Sequence, residues 1–133
     1  MILPDSSAWI EYLRGTGSPA HRRLATAVRA PEDLAVTGPV RLEVLAGARD
    51  EGEAEELARL LGSARPLQVE DPSDYEAAAA IYRSCRRAGQ TIGSISDCLI
   101  AAVAVRTGAE LLHCDSDFEL IAERVPLRLV ALD

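Results

Sequence analysis

Apolar residues recur along this chain in alternating periods, and that alternation predicts most of its elements. Ile2 and Leu3 form a short apolar run ending at Pro4, where a missing N–H is tolerable; it reads as a strand. Ala8, Trp9, Tyr12 and Leu13 then fall at helical spacing over 6–13. The stretch 15–18 is a glycine-bearing loop, and Pro19 opens a second helix running to about Arg29. Residues 34–37 read as a strand. Gly38 and Pro39 follow it, with Pro39 suited to the first turn of a helix through Ala48. Residues 51–61 suggest a polar-faced helix whose acidic first turn suits the helix dipole. A weak strand over 66–69 precedes a long helix over 72–88 that Gly89 stops. Residues 96–107 are almost wholly apolar after one turn, as in a helix buried on most sides. A strand over 110–113, a helix over 117–124 and a last strand over 127–130 complete the pattern. Strands alternating with helices imply an α/β class, a three-layer α/β/α sandwich around a mostly parallel sheet. No repeat or linker interrupts the 133 residues, which read as one domain over 1–133.

Composition narrows the function. No apolar run is long enough to span a bilayer, and the first residues lack a basic segment followed by an apolar one. The expectation is a cytoplasmic protein. Cys85, Cys98 and Cys114 match no zinc spacing and read as free thiols. All fourteen basic residues are Arg. The lack of Lys excludes a Walker A phosphate loop, a haloacid-dehalogenase-type phosphatase and Schiff-base chemistry. The net charge of −7 opposes a polyanionic substrate until the placement of the acids is considered. With Asp5, Glu43, Asp97, Asp115 and Asp117 in one pocket, the remaining acids nearly balance the arginines. Arg22, Arg23, Arg83, Arg86 and Arg87 are then candidate phosphate contacts.

Those five acids are the candidate chemistry. Ligands bind beyond the carboxyl ends of the strands in a parallel sheet. Asp5 follows the first strand, and Asp115 and Asp117 follow the strand over 110–113. Glu43 and Asp97 sit in the opening turns of helices packed against the sheet. Converging carboxylates need a proton or a cation between them, and all-oxygen ligands suit Mg²⁺ or Mn²⁺. Such an ion serves in-line phosphodiester hydrolysis. Each acid also has a structural reading. Asp5 can cap the helix after it, Ser94 to Asp97 loosely matches a capping box, and Asp115 suits an N-cap. Glu43 can belong to a narrow solvated helix face. Individually these signals are weak; the set carries the argument.

The same residues resemble a family. Met1 to Gly15, with Asp5, Ser6 and Ser7 after an apolar strand and a short aromatic-bearing helix behind them, is similar to the opening of PIN-domain proteins, particularly the VapC toxins of bacterial toxin–antitoxin pairs. Pro39 to Gly47 around Glu43 resembles the second motif, Ser94 to Ala102 around Asp97 the third, and Leu112 to Glu119 around Asp115 and Asp117 the fourth. Pro4 departs from the Val, Ile or Leu usual at its place. The resemblance implies a PIN fold and a Mg²⁺- or Mn²⁺-dependent endoribonuclease acting on structured RNA such as tRNA or rRNA. It also implies a homodimer neutralised by a VapB-type antitoxin in a heterotetramer or larger assembly. It assigns Asp5, Glu43, Asp97 and Asp115 as the acidic quartet and Asp117 as an added acid, leaving open whether Asp115 or Asp117 is the main fourth ligand. Ser7 is assigned as a polar neighbour of Asp5.

Other signals point elsewhere and are weaker. Gly15, Gly17 and Ala20 match a dinucleotide fingerprint but follow a helix rather than a strand. His21 and His113 lack partners for a metal or catalytic set and read as structural. Ser6 and Ser7 lie outside a nucleophile elbow. Trp9 and Tyr12 suit a core or a subunit interface. Alternatively, with Leu13, Leu42, Leu45 and Ala46, they flank a groove for an amphipathic helix of the antitoxin. Two other functions fit the same motifs: a PIN nuclease of RNA maturation, and a PIN binding module without activity. Loss of an acid would mark the latter, and all are present.

Overall fold

The computed structural model describes residues 1–132, with Glu32 described by its backbone alone. Five short strands and seven helices alternate: β1 (Ile2–Pro4), α1 (Ser6–Arg14), α2 (Pro19–Arg29), β2 (Ala35–Thr37), α3 (Gly38–Ala46), α4 (Glu51–Gly62), β3 (Arg65–Leu67), α5 (Ser73–Arg87), α6 (Ile95–Thr107), β4 (Glu110–Leu112), α7 (Asp117–Ala122) and β5 (Arg128–Leu129). A 3-10 turn at Pro31–Asp33 leads into β2.

Every strand pairing among the described residues is parallel. β1 pairs with β4 and β4 with β5, while β2 pairs with β3. A parallel bridge between Ile2 and Leu34 joins the two parts, giving the order β3-β2-β1-β4-β5. The chain therefore winds outward from β1 through β2 to β3, then returns to the other side of β1 for β4 and β5. α1 packs against α2 and α3, and α3 against α4, while α5, α6 and α7 pack against one another; the right-handed crossover rule assigns these two groups to opposite faces. The carboxyl ends of β1 and β4 are thus adjacent at the point where the winding reverses, the place where such sheets bind ligands.

Local chemistry explains the element ends. Ser18 caps α2 by accepting from His21 N, Thr37 caps α3 through Val40 N, and Asp50 caps α4 through Glu53 N. Gly108 takes a left-handed conformation at φ 73° to end α6 and turn the chain into β4. The expected strand over 66–69 begins one residue earlier, at Arg65. Its register with Ala35–Thr37 is set by pairing, and Pro66 is accommodated because β3 lies at the sheet edge.

The core is continuous across both faces. Leu3, Val36, Leu111 and Leu112 from the strands meet Trp9, Leu24 and Leu61 from one helical layer, and Ile100, Phe118 and Ile121 from the other. α6 contributes more buried residues than any other helix, as its apolar composition requires: Ile100 to Ala104 are all buried. Trp9 is fully buried, so it is core and not an exposed docking residue. No helix among the described residues is long and apolar enough to cross a membrane.

Candidate active site

Asp5 leaves β1 and immediately caps α1. Its Oδ2 accepts from Ser7 N at 3.0 Å and from Ser7 Oγ at 2.7 Å. The capping reading is therefore correct, but it uses one oxygen only. Oδ1 is buried without a partner, and the residue is 3% exposed. A cap alone does not require a second, desolvated oxygen, and leaving one unsatisfied is costly.

Ser7 has a second contact. Its hydroxyl accepts from Cys114 N at 3.0 Å, linking the residue after β1 to the loop after β4. That loop holds itself in shape. Asp115 N donates to His113 Nδ1 at 3.2 Å, and Asp117 N donates to Asp115 Oδ1 at 3.0 Å. The His113 ring packs against Phe118, with centroids 5.4 Å apart. Asp117 Oδ2 in turn accepts from Gly93 N at 2.9 Å, which ties the loop to the segment leading into α6.

Asp97 enters from the first turn of α6. The loose capping box is not formed, because Ser94 makes no side-chain cap bond and its hydroxyl faces Ser96 instead. Asp97 is 6% exposed, and its Oδ2 has no partner. Asp97, Asp115 and Asp117 each offer a carboxylate oxygen within 4.8 Å of the others. Burial, followed by the charges of Asp5, Asp115, Glu43 and Asp117, pushes the Asp97 carboxyl up to about 7. Asp5, Glu43, Asp115 and Asp117 thus each lie close enough for their charge to bear on Asp97. Glu43 differs in being exposed on α3, where its Oε2 accepts from Ser6 Oγ at 2.8 Å.

The donor set is all oxygen, and two buried oxygens, Asp5 Oδ1 and Asp97 Oδ2, have no protein partner among the described residues. These are the features of a pocket suited to a hard divalent cation. Ser6, His113 and Gly93 are contacts that sequence reasoning did not assign. Ser6 had a signal, since it stands between Asp5 and Ser7 in the first motif. Gly93 had only its place beside Ser94; a Cβ there would lie 3.3 Å from Asp117 Oδ2, so the close approach favours glycine. His21 is structural, as expected: its Nδ1 accepts from Gly17 N at 2.8 Å. The three cysteines are free, with Cys85 and Cys98 buried.

A parallel sheet with buried acids gathered at its winding reversal is shared by a defined class of proteins, and the sequence places this chain within it. Residues 2–124 match the PIN-domain family, and the chain belongs to that family. Among its relatives is Ribonuclease VapC11 of Mycobacterium tuberculosis, 49% identical over 125 residues that cover 92% of each chain. Solved structures that share the fold at low identity include the following two. One is VapBC2 from Rickettsia felis bound to a DNA fragment from their promoter, with TM-score 0.74, 17% identity and full coverage of both chains. The other is a toxin–antitoxin complex from Klebsiella pneumoniae, with TM-score 0.68, 18% identity and coverage of 87% of this chain and 88% of that one.

Proposed function

We propose that this protein is the toxin of a type II toxin–antitoxin pair, a cytoplasmic endoribonuclease that hydrolyses phosphodiester bonds in structured RNA such as tRNA or rRNA. The observation that carries the reading is Asp97: a buried carboxyl with an unpartnered oxygen, surrounded by four other acids. A fold does not retain such repulsion for stability, since replacing one acid would relieve it. The ribonuclease relative and the toxin–antitoxin complexes of the same fold support the substrate class and the restraining partner.

Asp5, Asp97, Asp115 and Asp117 would hold Mg²⁺ or Mn²⁺. When bound, the ion supplies charge neutralisation at the scissile phosphate and acidification of water at neutral pH. The protein's own groups set the frame. Ser7 fixes one oxygen of Asp5 and leaves the other free. His113 and Gly93 fix the backbone of Asp115 and the carboxylate of Asp117. Glu43, exposed and oriented by Ser6, is placed to accept a proton or orient a water at the rim of the cluster. The protein acts as a homodimer and is neutralised by a VapB-type antitoxin in a heterotetramer or larger complex.

The test is cleavage of bulk RNA by purified protein in Mg²⁺, in Mn²⁺ and in EDTA, with mapping of the product ends. Metal-dependent cleavage giving 5′-phosphate and 3′-hydroxyl ends is expected. Full activity in EDTA, or 2′,3′-cyclic phosphate ends, would overturn the mechanism.

A further inference from the structure

A second cleft opens at the same edge of the sheet, at the carboxyl ends of β2 and β3. Its volume is about 400 Å³, within the range of roughly 300–1,000 Å³ usual for ligand clefts. Thr37 and Leu67, the last residues of the two strands, form its floor, and Pro39, Arg41, Gln68 and Tyr75 surround them. None of the five acids lines it.

Three features give this cleft an anion- and base-binding character. Arg41 is half-buried, and among the described residues no carboxylate lies within ion-pair distance of it. Arg41 lies in the first turns of α3, whose start is already capped by Thr37 through Val40 N, so the guanidinium is the group there with donors to offer an anion. A Cβ built at Gly38 would meet nothing within 4 Å, which leaves the approach open. Tyr75 lies across the cleft on α5, 52% exposed. Asp74 is buried on Arg106 and Glu70 pairs with the same guanidinium, leaving Asp71 and Glu76 exposed to solvent.

We propose that this cleft is a subsite for one unpaired nucleotide of the RNA, its base stacked on Tyr75 and an adjoining phosphate held by Arg41. The proposal rests on the nuclease reading and deepens it. A chain with net charge −7 that gathers its acids at the scissile position needs cationic contact elsewhere on the strand. Strand order places this cleft on the rim that carries Asp5, where RNA extending from the carboxylates can reach it. An exposed aromatic ring and an unpaired Arg form the pairing that holds single-stranded nucleic acid with little sequence demand.

The experiment measures binding of a fluorescein-labelled, single-stranded 12-nucleotide RNA of randomised sequence by anisotropy in EDTA, alongside cleavage of bulk RNA in Mg²⁺. Wild type is compared with Tyr75→Ala, Tyr75→Phe and Arg41→Ala, with melting temperatures confirming that each variant folds. Tyr75→Ala is expected to weaken binding about tenfold, while Tyr75→Phe stays within about twofold, because stacking needs the ring and not the hydroxyl. Arg41→Ala is expected to weaken binding and to reduce the slope of log affinity against log salt by about 0.7, the loss of one phosphate contact. Wild-type protein that binds and cuts RNA, with unchanged affinity in Tyr75→Ala and Arg41→Ala, overturns the subsite and leaves the nuclease reading standing. Variants that keep RNA affinity but lose affinity for the antitoxin also overturn it, marking the cleft as a protein-docking surface. A wild-type protein that neither binds nor cuts RNA overturns the nuclease reading and the subsite together.

Discussion

Ser7 and Cys114 are 107 positions apart, and one hydrogen bond joins them: the Cys114 backbone N–H donates to Ser7 Oγ at 3.0 Å. The same hydroxyl donates to Asp5 Oδ2. Ser7 therefore sets the separation between the acid after β1 and the acids after β4, which belong to different elements and otherwise meet only through the sheet. Ser7→Ala removes both bonds. The expected stability cost is about 1–2 kcal/mol, since the group is partly buried and each lost bond contributes about 1 kcal/mol. The expected loss in kcat is larger than that cost suggests, on the order of tenfold or more, because small displacements of a catalytic group are expensive. Single-turnover cleavage and thermal melting on the same samples check this; full activity in a variant destabilised by the stated amount would show that Ser7 is structural only.

Asp97 links the site to stability through pH. Its carboxyl is pushed up to about 7 in the folded protein and returns to the ordinary aspartate range on unfolding. Below pH 4 both states are protonated. Between about pH 4 and 7 the unfolded chain has lost this proton and the folded one keeps it, so stability falls as pH rises; above 7 the penalty is constant. Its size is on the order of a few kcal/mol. In EDTA, Asp97→Asn is expected to match wild type near pH 4 and to exceed it at pH 7.5 by that amount, while cleavage is lost. Mg²⁺ is expected to narrow the gap, because a cation supports the charged form. Melting curves across pH with and without metal check this, and identical curves for the two proteins at every pH would contradict it.

How much of this was legible without coordinates depended on whether the signal was local. Helix starts were readable because Pro19, Pro39 and the acidic residues after position 50 act locally; the caps Ser18, Thr37 and Asp50 at the same starts emerge only from the structure. The convergence of the acids was readable because strand ends in a parallel sheet share an edge. The capping box at Ser94 was misleading: the motif matches in sequence, but Asp97 is drawn into the carboxylate cluster and Ser94 bonds elsewhere. Of the two readings of Trp9, core or groove, burial selects the core, a choice that helical spacing alone leaves open because it does not tell which side of α1 meets the sheet. The bonds of Ser6 to Glu43 and Gly93 to Asp117 span 37 and 24 positions and had no local trace to read.

The pair Arg106–Asp74 is expected to affect stability without touching catalysis. Asp74 is buried and accepts from Arg106 Nε at 3.0 Å and Nη2 at 2.9 Å, and from Glu70 N at 2.8 Å. The hydrogen bond from Arg106 is the main cause holding its carboxyl below the usual range, against the opposing effect of burial. A depressed carboxyl contributes stability above its unfolded value and loses it as pH falls through the folded one. Arg106 also donates to Gln68 O at 2.7 Å, so it fastens the β3–α5 connection to the end of α6. Arg106→Met leaves Asp74 buried without its cation. The expected cost is about 2–4 kcal/mol, somewhat below the range for fully buried pairs because the guanidinium is partly exposed. Urea unfolding should show this at pH 7 and less of it at pH 3. Cleavage per folded molecule should be unchanged, and a selective loss of kcat would place the pair in the catalytic machinery.

Restraint by the antitoxin is expected to depend on apolar residues beside the acids. Leu42 on α3 is 70% exposed and directly precedes Glu43; Ile95 is exposed two residues before Asp97; Ile10 and Leu13 are exposed on α1. Single exposed apolar residues are ordinary on protein surfaces. Here two of them lie within two positions of a site acid, and α1 and α3 each carry one of the residues joined by the Ser6–Glu43 bond. A partner that lays an amphipathic helix over this region would bury them and bring an Arg to the carboxylates, where charge-assisted pairing competes with the metal. Leu42→Glu keeps helix propensity and removes the apolar contact while adding a like charge beside the cluster. The expected loss in antitoxin affinity is about 10–100-fold, the range for a buried anchor at an interface. Cleavage by the free toxin should stay within about threefold of wild type, an order-of-magnitude allowance for the added exposed charge. In cells, the variant should remain toxic when the antitoxin is co-expressed at a level that silences wild type. Calorimetric binding and growth under paired induction measure the two halves. Unchanged affinity in both Leu42→Glu and Ile10→Glu would move the docking surface away from α1 and α3.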